Sequence, residues 1–252
     1  MSGSFQLAEN LMLTLRFAGG TDRGRQREHN EDTYSIQYGS RGGFVVADGL
    51  GGHVAGEVAS QLACGSIDDS LLAILNDLSC DTETWYVETA VLNAMGEANE
   101  IVRAEAKKNV ALTGMGCTLL AAIFHTSRVT IGQVGDCRAY QWRAGTLRQL
   151  TTDHTIVADM SHPNHYVLER AVGIMEELRA DVRTINIQPK DRLLFCSDGL
   201  WNMLDDNQLS AILSEIKEAE PCVLLLVDEA NRMGGEDNVT VIVIDIIGGE
   251  CE

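Results

Sequence analysis

The order of apolar segments along the 252 residues predicts an α+β fold, with antiparallel sheets covered by helices. Three observations point there. Short β-branched runs and long runs of helical spacing come in blocks instead of alternating strictly. The links HTSR (125–128) and DC (136–137) are too short for crossovers, which predicts an antiparallel meander through 117–143. Only three prolines are present, with no low-complexity tract, linker or repeat, so residues 1–252 read as one compact domain.

The strands are expected where apolar, β-branched runs end in turn residues. They are LMLTLRF (11–17), DTYSIQY (32–38), GFVVAD (43–48), CTLLAAIF (117–124), RVTIGQVG (128–135), RAYQWR (138–143), ADVRTINI (180–187), RLLFCSD (192–198) and VTVIVIDII (239–247). Apolar residues recur at helical spacing over Glu57 to Leu75 and, with charges interleaved, over Glu83 to Lys108. Two further helical stretches cover Asp206 to Lys217 and Pro221 to Met233.

Composition excludes some functions. A formal net charge of −18 disfavours nucleic acid and anionic membrane, both of which call for basic patches. The acidic surplus reads either as solubility or as carboxylates gathered around cations. Aromatic residues are only 5% of the chain, so the core should be mainly aliphatic. Seven cysteines (64, 80, 117, 137, 196, 222, 251) form no Cys-x-x-Cys pair and read as buried small hydrophobes in a reducing compartment. The N-terminal segment lacks a basic region followed by a long apolar one, and no uninterrupted apolar run approaches the length of a membrane span. A cytoplasmic protein with no membrane partner is the expectation.

Four aspartates share one setting, the end of an apolar strand beside a turn residue. Asp48 follows FVVA, Asp136 follows TIGQVG, Asp198 follows LLFCS, and Asp237 precedes NVTVIVI. Taken singly, such an aspartate is ordinary turn chemistry. Four carboxylates brought to one rim repel each other unless a positive charge neutralises them, and Lys and Arg are scarce here, with only Arg138 close. Hard divalent cations such as Mg²⁺ or Mn²⁺ suit that donor set. The pair His162 and His165 in SHPNH reads as solvated loop. Upstream, Arg27 precedes Asn30, Glu31 and Asp32; it reads as a surface ion pair or as a phosphate fork beside a cation cluster.

These motifs resemble, in order along the chain, the metal-dependent protein phosphatases of the PPM or type-2C family. The resemblance runs through R-x-x-N-E-D (27–32), VVADGLGGH (45–53), GCTLLAAIF, IGQVGDCRAY (131–140), LTTDH (150–154), LLFCSDGLW (193–201) and EDNVTVIV (236–243), covering roughly 18–246, and D-G-x-G-G-H is similar to the compact bacterial branch. It implies a four-layer α-β-β-α sandwich, two antiparallel sheets packed together and flanked by helices, with two or three Mg²⁺ or Mn²⁺ ions at one rim. Asp48 would bridge two metals with the Gly49 carbonyl on one; Asp198 and Asp237 would hold the other. Asp136 matches a ligand to a third, looser metal shared with Asp198. Glu31 and Asp32 match residues acting through metal-bound water, Arg27 the phosphate-binding arginine, and Asn238 a neighbour of the last ligand.

The implied reaction is hydrolysis of phosphoserine or phosphothreonine on a protein by a metal-bridged hydroxide, with Arg27 on the non-reacting oxygens. His53 or metal-bound water supplies the proton to the leaving group. The implied partners are a phosphoprotein and a cognate bacterial Ser/Thr kinase. The segment between Asp153 and Gly173 is shorter than the flap of many bacterial relatives, and HPNHYVLERAVG is similar to phosphatases that oppose a kinase in type VI secretion loci. The other readings are a metal-dependent nuclease, which the charge opposes, and a catalytically silent phosphatase-like binding module, which the filled ligand positions oppose.

Overall fold

The computed structural model describes residues 1–6, 13–38, 42–50, 54–79, 81–159 and 162–248. The chain opens with β1 (Ser2–Gln6), β2 (Leu13–Asp22), β3 (Thr33–Tyr38), β4 (Gly42–Ala47) and the two-residue β5 (Gly49–Leu50). Helices α1 (Val54–Asp77) and α2 (Thr84–Lys108) follow, then β6 (Gly116–Cys117), β7 (Leu119–His125), β8 (Arg128–Val134), β9 (Arg138–Arg143) and β10 (Thr146–Gln149). Next come β11 (Thr155–Asp159), β12 (His162–Leu168), β13 (Asp181–Asn186) and β14 (Arg192–Cys196). The chain closes with α3 (Asp198–Trp201), α4 (Asp206–Glu215), α5 (Ala219–Arg232) and β15 (Val239–Gly248).

Two antiparallel sheets dominate. One has six strands in the order β1-β2-β15-β14-β9-β10, and the other has five, β13-β8-β7-β4-β3. Between them lies a layer of apolar side chains in which Phe44 meets Phe17, Phe124 and Phe195 edge-on, at ring separations of 5.6, 5.2 and 6.5 Å. Aliphatic residues from both sheets, such as Leu15, Val46, Leu120 and Ile242, fill the rest, so the expected aliphatic core has an aromatic centre.

Each sheet carries helices on its outer face. Helix α2 buries Val87, Val91, Ala94, Ala98 and Val102, one stripe of a 3.6-residue period, and packs with α1 against Val45, Ala121 and Ile123 of the five-stranded sheet. Helices α3, α4 and α5 cover the six-stranded sheet through Leu200, Leu209, Cys222 and Leu226. Asp205 caps α4 through a reciprocal pair of bonds with Gln208. The layers are therefore α-β-β-α. Residues Ala55–Asp77 of α1 are long and apolar enough to cross a membrane on length and composition alone. Its Ala59, Ala63, Ile67 and Leu71 are nevertheless fully buried in this packing, as in a core helix.

The meander expected over 117–143 is not formed. β7 and β8 pair in the five-stranded sheet, but β9 pairs with β14 and β10 in the six-stranded one. The chain changes sheets at Gly135–Cys137. Gly135 has φ +97° there, and a Cβ on it would stand 2.6 Å from the Thr118 side chain. This switch lifts Asp136 to the rim between the sheets. The segment after Asp153 also differs from a plain loop: β11 and β12 form a two-stranded hairpin.

Candidate metal centre

Four strand ends deliver the four aspartates to one place. Asp48 follows β4, Asp136 sits in the sheet-switching turn after β8, Asp198 opens α3 beyond β14, and Asp237 stands two residues before β15. All four line a cleft of about 420 Å³. Gly49, Arg27, Glu31 and Asn238 border the same cleft. Asp32 is buried beside it, 8% exposed.

Backbone and hydroxyl groups fix these carboxylates. Asp48 and Thr118 are reciprocally bound: Thr118 N donates to the Asp48 carbonyl at 2.8 Å, and Asp48 N donates to the Thr118 side-chain Oγ1 at 3.1 Å. That hydroxyl also lies 3.0 Å from Cys137 Sγ, next to Asp136. Ser197 Oγ donates to Asp32 Oδ2 at 2.7 Å and accepts from Thr240 N at 3.0 Å, joining Asp32 to the Asp198 strand end. Neither Thr118 nor Ser197 was singled out from the sequence. Their only signal there is a small polar residue inside or ending an otherwise apolar run.

The loop carrying Arg27 is stitched to the turn before β15. Asn238, 4% exposed, donates through Nδ2 to the carbonyls of Arg23 and His29 at 2.8 and 2.9 Å, and its Oδ1 accepts from Glu31 N at 2.8 Å. Arg25 N donates to the Gly235 carbonyl at 2.7 Å. Gly24, at φ +81°, lies so close that a Cβ would reach 2.2 Å from the Asp237 carbonyl. Arg27 is half-exposed, and one of its terminal nitrogens contacts Asp237 Oδ2 at 2.5 Å. His53 lies outside the described residues. His162 and His165 belong to β12.

Burial and crowding push these carboxyls upward. Asp48 is raised well above the usual carboxylate range by burial, then by the charges of Asp32, Asp198, Asp136 and Asp237. Asp198 rises to about 8, first by burial and then through Asp136 and Asp237, with Arg27 pulling the other way. Asp136 and Asp32 each rise to about 6, chiefly by burial. Asp198 Oδ1 and Asp32 Oδ1 are buried without a hydrogen-bond partner. A buried, unpartnered carboxylate oxygen among other carboxylates fits a hard cation. Among the described residues no three acidic, His or Cys side chains close into a cage by themselves. Backbone carbonyl and water oxygens would complete coordination, as Mg²⁺ and Mn²⁺ commonly allow.

Known proteins resemble this chain in sequence and fold. Residues 19–222 match the family described as Protein phosphatase 2C. The serine/threonine phosphatase stp of Listeria welshimeri is 36% identical over 239 residues, spanning 89% of this chain and 93% of that protein. The catalytic domain of the serine/threonine phosphatase PstP, solved in complex with two manganese ions, superposes with a TM-score of 0.76 at 33% identity, over 94% of this chain and all of that one. PppA of Pseudomonas aeruginosa, described as a key regulatory component of T6SS, superposes with a TM-score of 0.80 at 29% identity, over 97% and 100% of the two chains. With the family match over residues 19–222 and relatives at 36% identity over nearly their whole length, the chain belongs to the protein phosphatase 2C family.

Proposed function

We propose that the chain is a metal-dependent protein phosphatase that hydrolyses phosphoserine and phosphothreonine monoesters, acting as a single catalytic domain. The observation that carries this reading is the cleft in which Asp48, Asp136, Asp198 and Asp237 converge with Arg27 at its edge. Asp48 and the Gly49 carbonyl, with Asp198 and Asp237, would hold two Mg²⁺ or Mn²⁺ ions, and Asp136 with Asp198 a third. Cations bound there neutralise the carboxylates and bring the ionisation of water towards neutral pH.

The chain's own groups do the remaining work. Arg27 presents a planar fork to two non-reacting phosphoryl oxygens and offsets the charge that builds on them. Its contact with Asp237 aims the guanidinium at the cleft in advance. Asn238 holds the loop that carries Arg27 and Glu31, while Thr118 fixes the Asp48 main chain. Glu31 and Asp32 order water at the cleft floor. His53, four residues after Gly49, is assigned the proton delivered to the leaving alkoxide. The buried free thiols at 64, 117, 137, 196 and 222 support action on cytoplasmic phosphoproteins, in opposition to a Ser/Thr kinase.

Hydrolysis of a phosphothreonine peptide with Mn²⁺, with and without chelator and beside Asp198→Ala, tests this. Activity abolished by both the chelator and the substitution is expected. Activity that survives either one overturns the metal-dependent reading, and an inactive wild type supports a silent binding module instead.

A further inference from the structure

The cleft that gathers the carboxylates has a second, apolar side. Thr155, Val167 and Leu168 of the β11–β12 hairpin line it together with Leu50. Within the hairpin Thr155 pairs with Leu168, Ile156 with Val167, and Val157 with Tyr166. Directly paired residues project from the same face. Ile156 therefore extends the surface that Val167 begins at the cleft wall. Both side chains are open to water: Ile156 is 51% exposed and Val167 46%. A two-stranded hairpin has little stability to spare, and β-branched residues of its described part face solvent.

The hairpin is held beside the cleft at its base. Glu169 N donates to the His154 carbonyl at 2.8 Å, and His154 N donates to the carbonyl of Gly135, the residue before Asp136, at 3.0 Å. His154 Nδ1 accepts from Gly135 N at 3.2 Å. Beyond the hairpin, Val172 bridges to Cys117.

We propose that Ile156 and Val167 form a ledge for an aliphatic side chain flanking the phosphorylated residue of the substrate. This rests on the phosphatase reading of the cleft. The surface is continuous with the cleft wall, and an extended peptide advances about 3.3 Å per residue. A phosphoresidue seated in the cleft thus lays its near neighbours along the hairpin. Acidic neighbours are disfavoured there, because the apolar ledge offers them no cation and the chain carries a net charge of −18. The site accordingly selects phosphopeptides with apolar flanks over those with acidic ones.

Matched phosphothreonine peptides carrying Leu, Ser or Glu at the flanking positions test the ledge, with p-nitrophenyl phosphate as a substrate without flanks. Wild type is expected to favour Leu over Ser by about tenfold in kcat/KM, mostly through KM, a range typical of apolar pockets. Ile156→Ser is expected to reduce that ratio to near one. Ile156→Lys is expected to shift preference towards the Glu peptide. Equal kcat/KM on the Leu and Ser peptides by a wild type that hydrolyses p-nitrophenyl phosphate overturns the ledge alone. An unchanged ratio in both Ile156 variants does the same. A wild type inactive on every substrate, p-nitrophenyl phosphate included, overturns the phosphatase reading and the ledge with it.

Discussion

The indole N–H of Trp201 donates to the main-chain carbonyl of Asp136 at 3.1 Å. Trp201 ends the same short helix that Asp198 begins, so this one bond ties together the two carboxylates assigned to a shared cation. The Arg138 guanidinium lies 3.6 Å over the Trp201 ring and is itself forked onto Asp153. Trp201→Phe keeps a ring under Arg138 and removes the N–H. Net loss of about one hydrogen bond, roughly 1 kcal/mol, predicts cation binding weakened about fivefold. Calorimetric Mn²⁺ titration of wild type and variant measures it, and identical isotherms would remove the role given to Trp201.

The raised carboxyl pKa values make metal-free stability fall as pH rises. A carboxyl whose folded pKa lies above its unfolded value binds its proton more tightly in the fold. Its contribution is complete below the unfolded value near 4 and is lost as pH climbs through the folded value, about 6 for Asp136 and Asp32 and about 8 for Asp198. Thermal melts in chelator are expected to show Tm dropping from pH 5 to 8.5, with a shallower slope in Asp198→Asn. Mn²⁺ should raise Tm more at pH 8 than at pH 5, since cations and protons compete for the same oxygens. Parallel slopes in wild type and Asp198→Asn contradict this account.

Asn238→Ala removes three side-chain hydrogen bonds from a nearly fully buried position. The expected loss is about 2–4 kcal/mol in the denaturant midpoint analysis, because the abandoned carbonyls and the Glu31 N–H lie at the loop's inner side. The same variant should raise KM for phosphopeptides, as Arg27 rides on the freed loop. A lower stability with KM unchanged separates scaffold from substrate binding.

Thr118→Val keeps the shape and deletes the hydroxyl that accepts from Asp48 N, leaving a partly buried N–H unpaired at a cost of about 1–3 kcal/mol. Thr118→Ser keeps the hydroxyl. The valine variant is therefore expected to lose Mn²⁺ affinity and the serine variant to retain most of it. Equal affinities in the two show that the hydroxyl is not what positions Asp48.

Much of this was readable in the chain. Val87, Val91, Ala94 and Val102 announce the inner face of α2 by spacing alone, and the apolar run before Asp198 announces a buried strand and its end. Residues whose role depends on distant partners were not readable. Asn238 binds Arg23 and His29, Thr118 binds Asp48, and Trp201 binds Asp136, each across a large sequence separation that local pattern does not encode. The meander expectation over 117–143 fails for a related reason. A short link such as Asp136–Cys137 gives no sign that the chain leaves one sheet for the other, because the change depends on the room left beside Thr118. The hairpin after Asp153 reads as a loop in the sequence, because its strands are short and mixed in polarity.

Asp48 leaves the five-stranded sheet, Asp198 and Asp237 leave the six-stranded one, and Asp136 stands where the chain steps between them. The sheets that carry these strand ends are held apart by the phenylalanine layer, with Phe44 at its middle. That layer acts as a shim: a thinner one, as in Phe44→Leu, should change which cation radius the rim prefers without touching a single ligand. Conversely, ions held at the rim would rivet the two sheets together, so that losing metal and loosening the core would become one event.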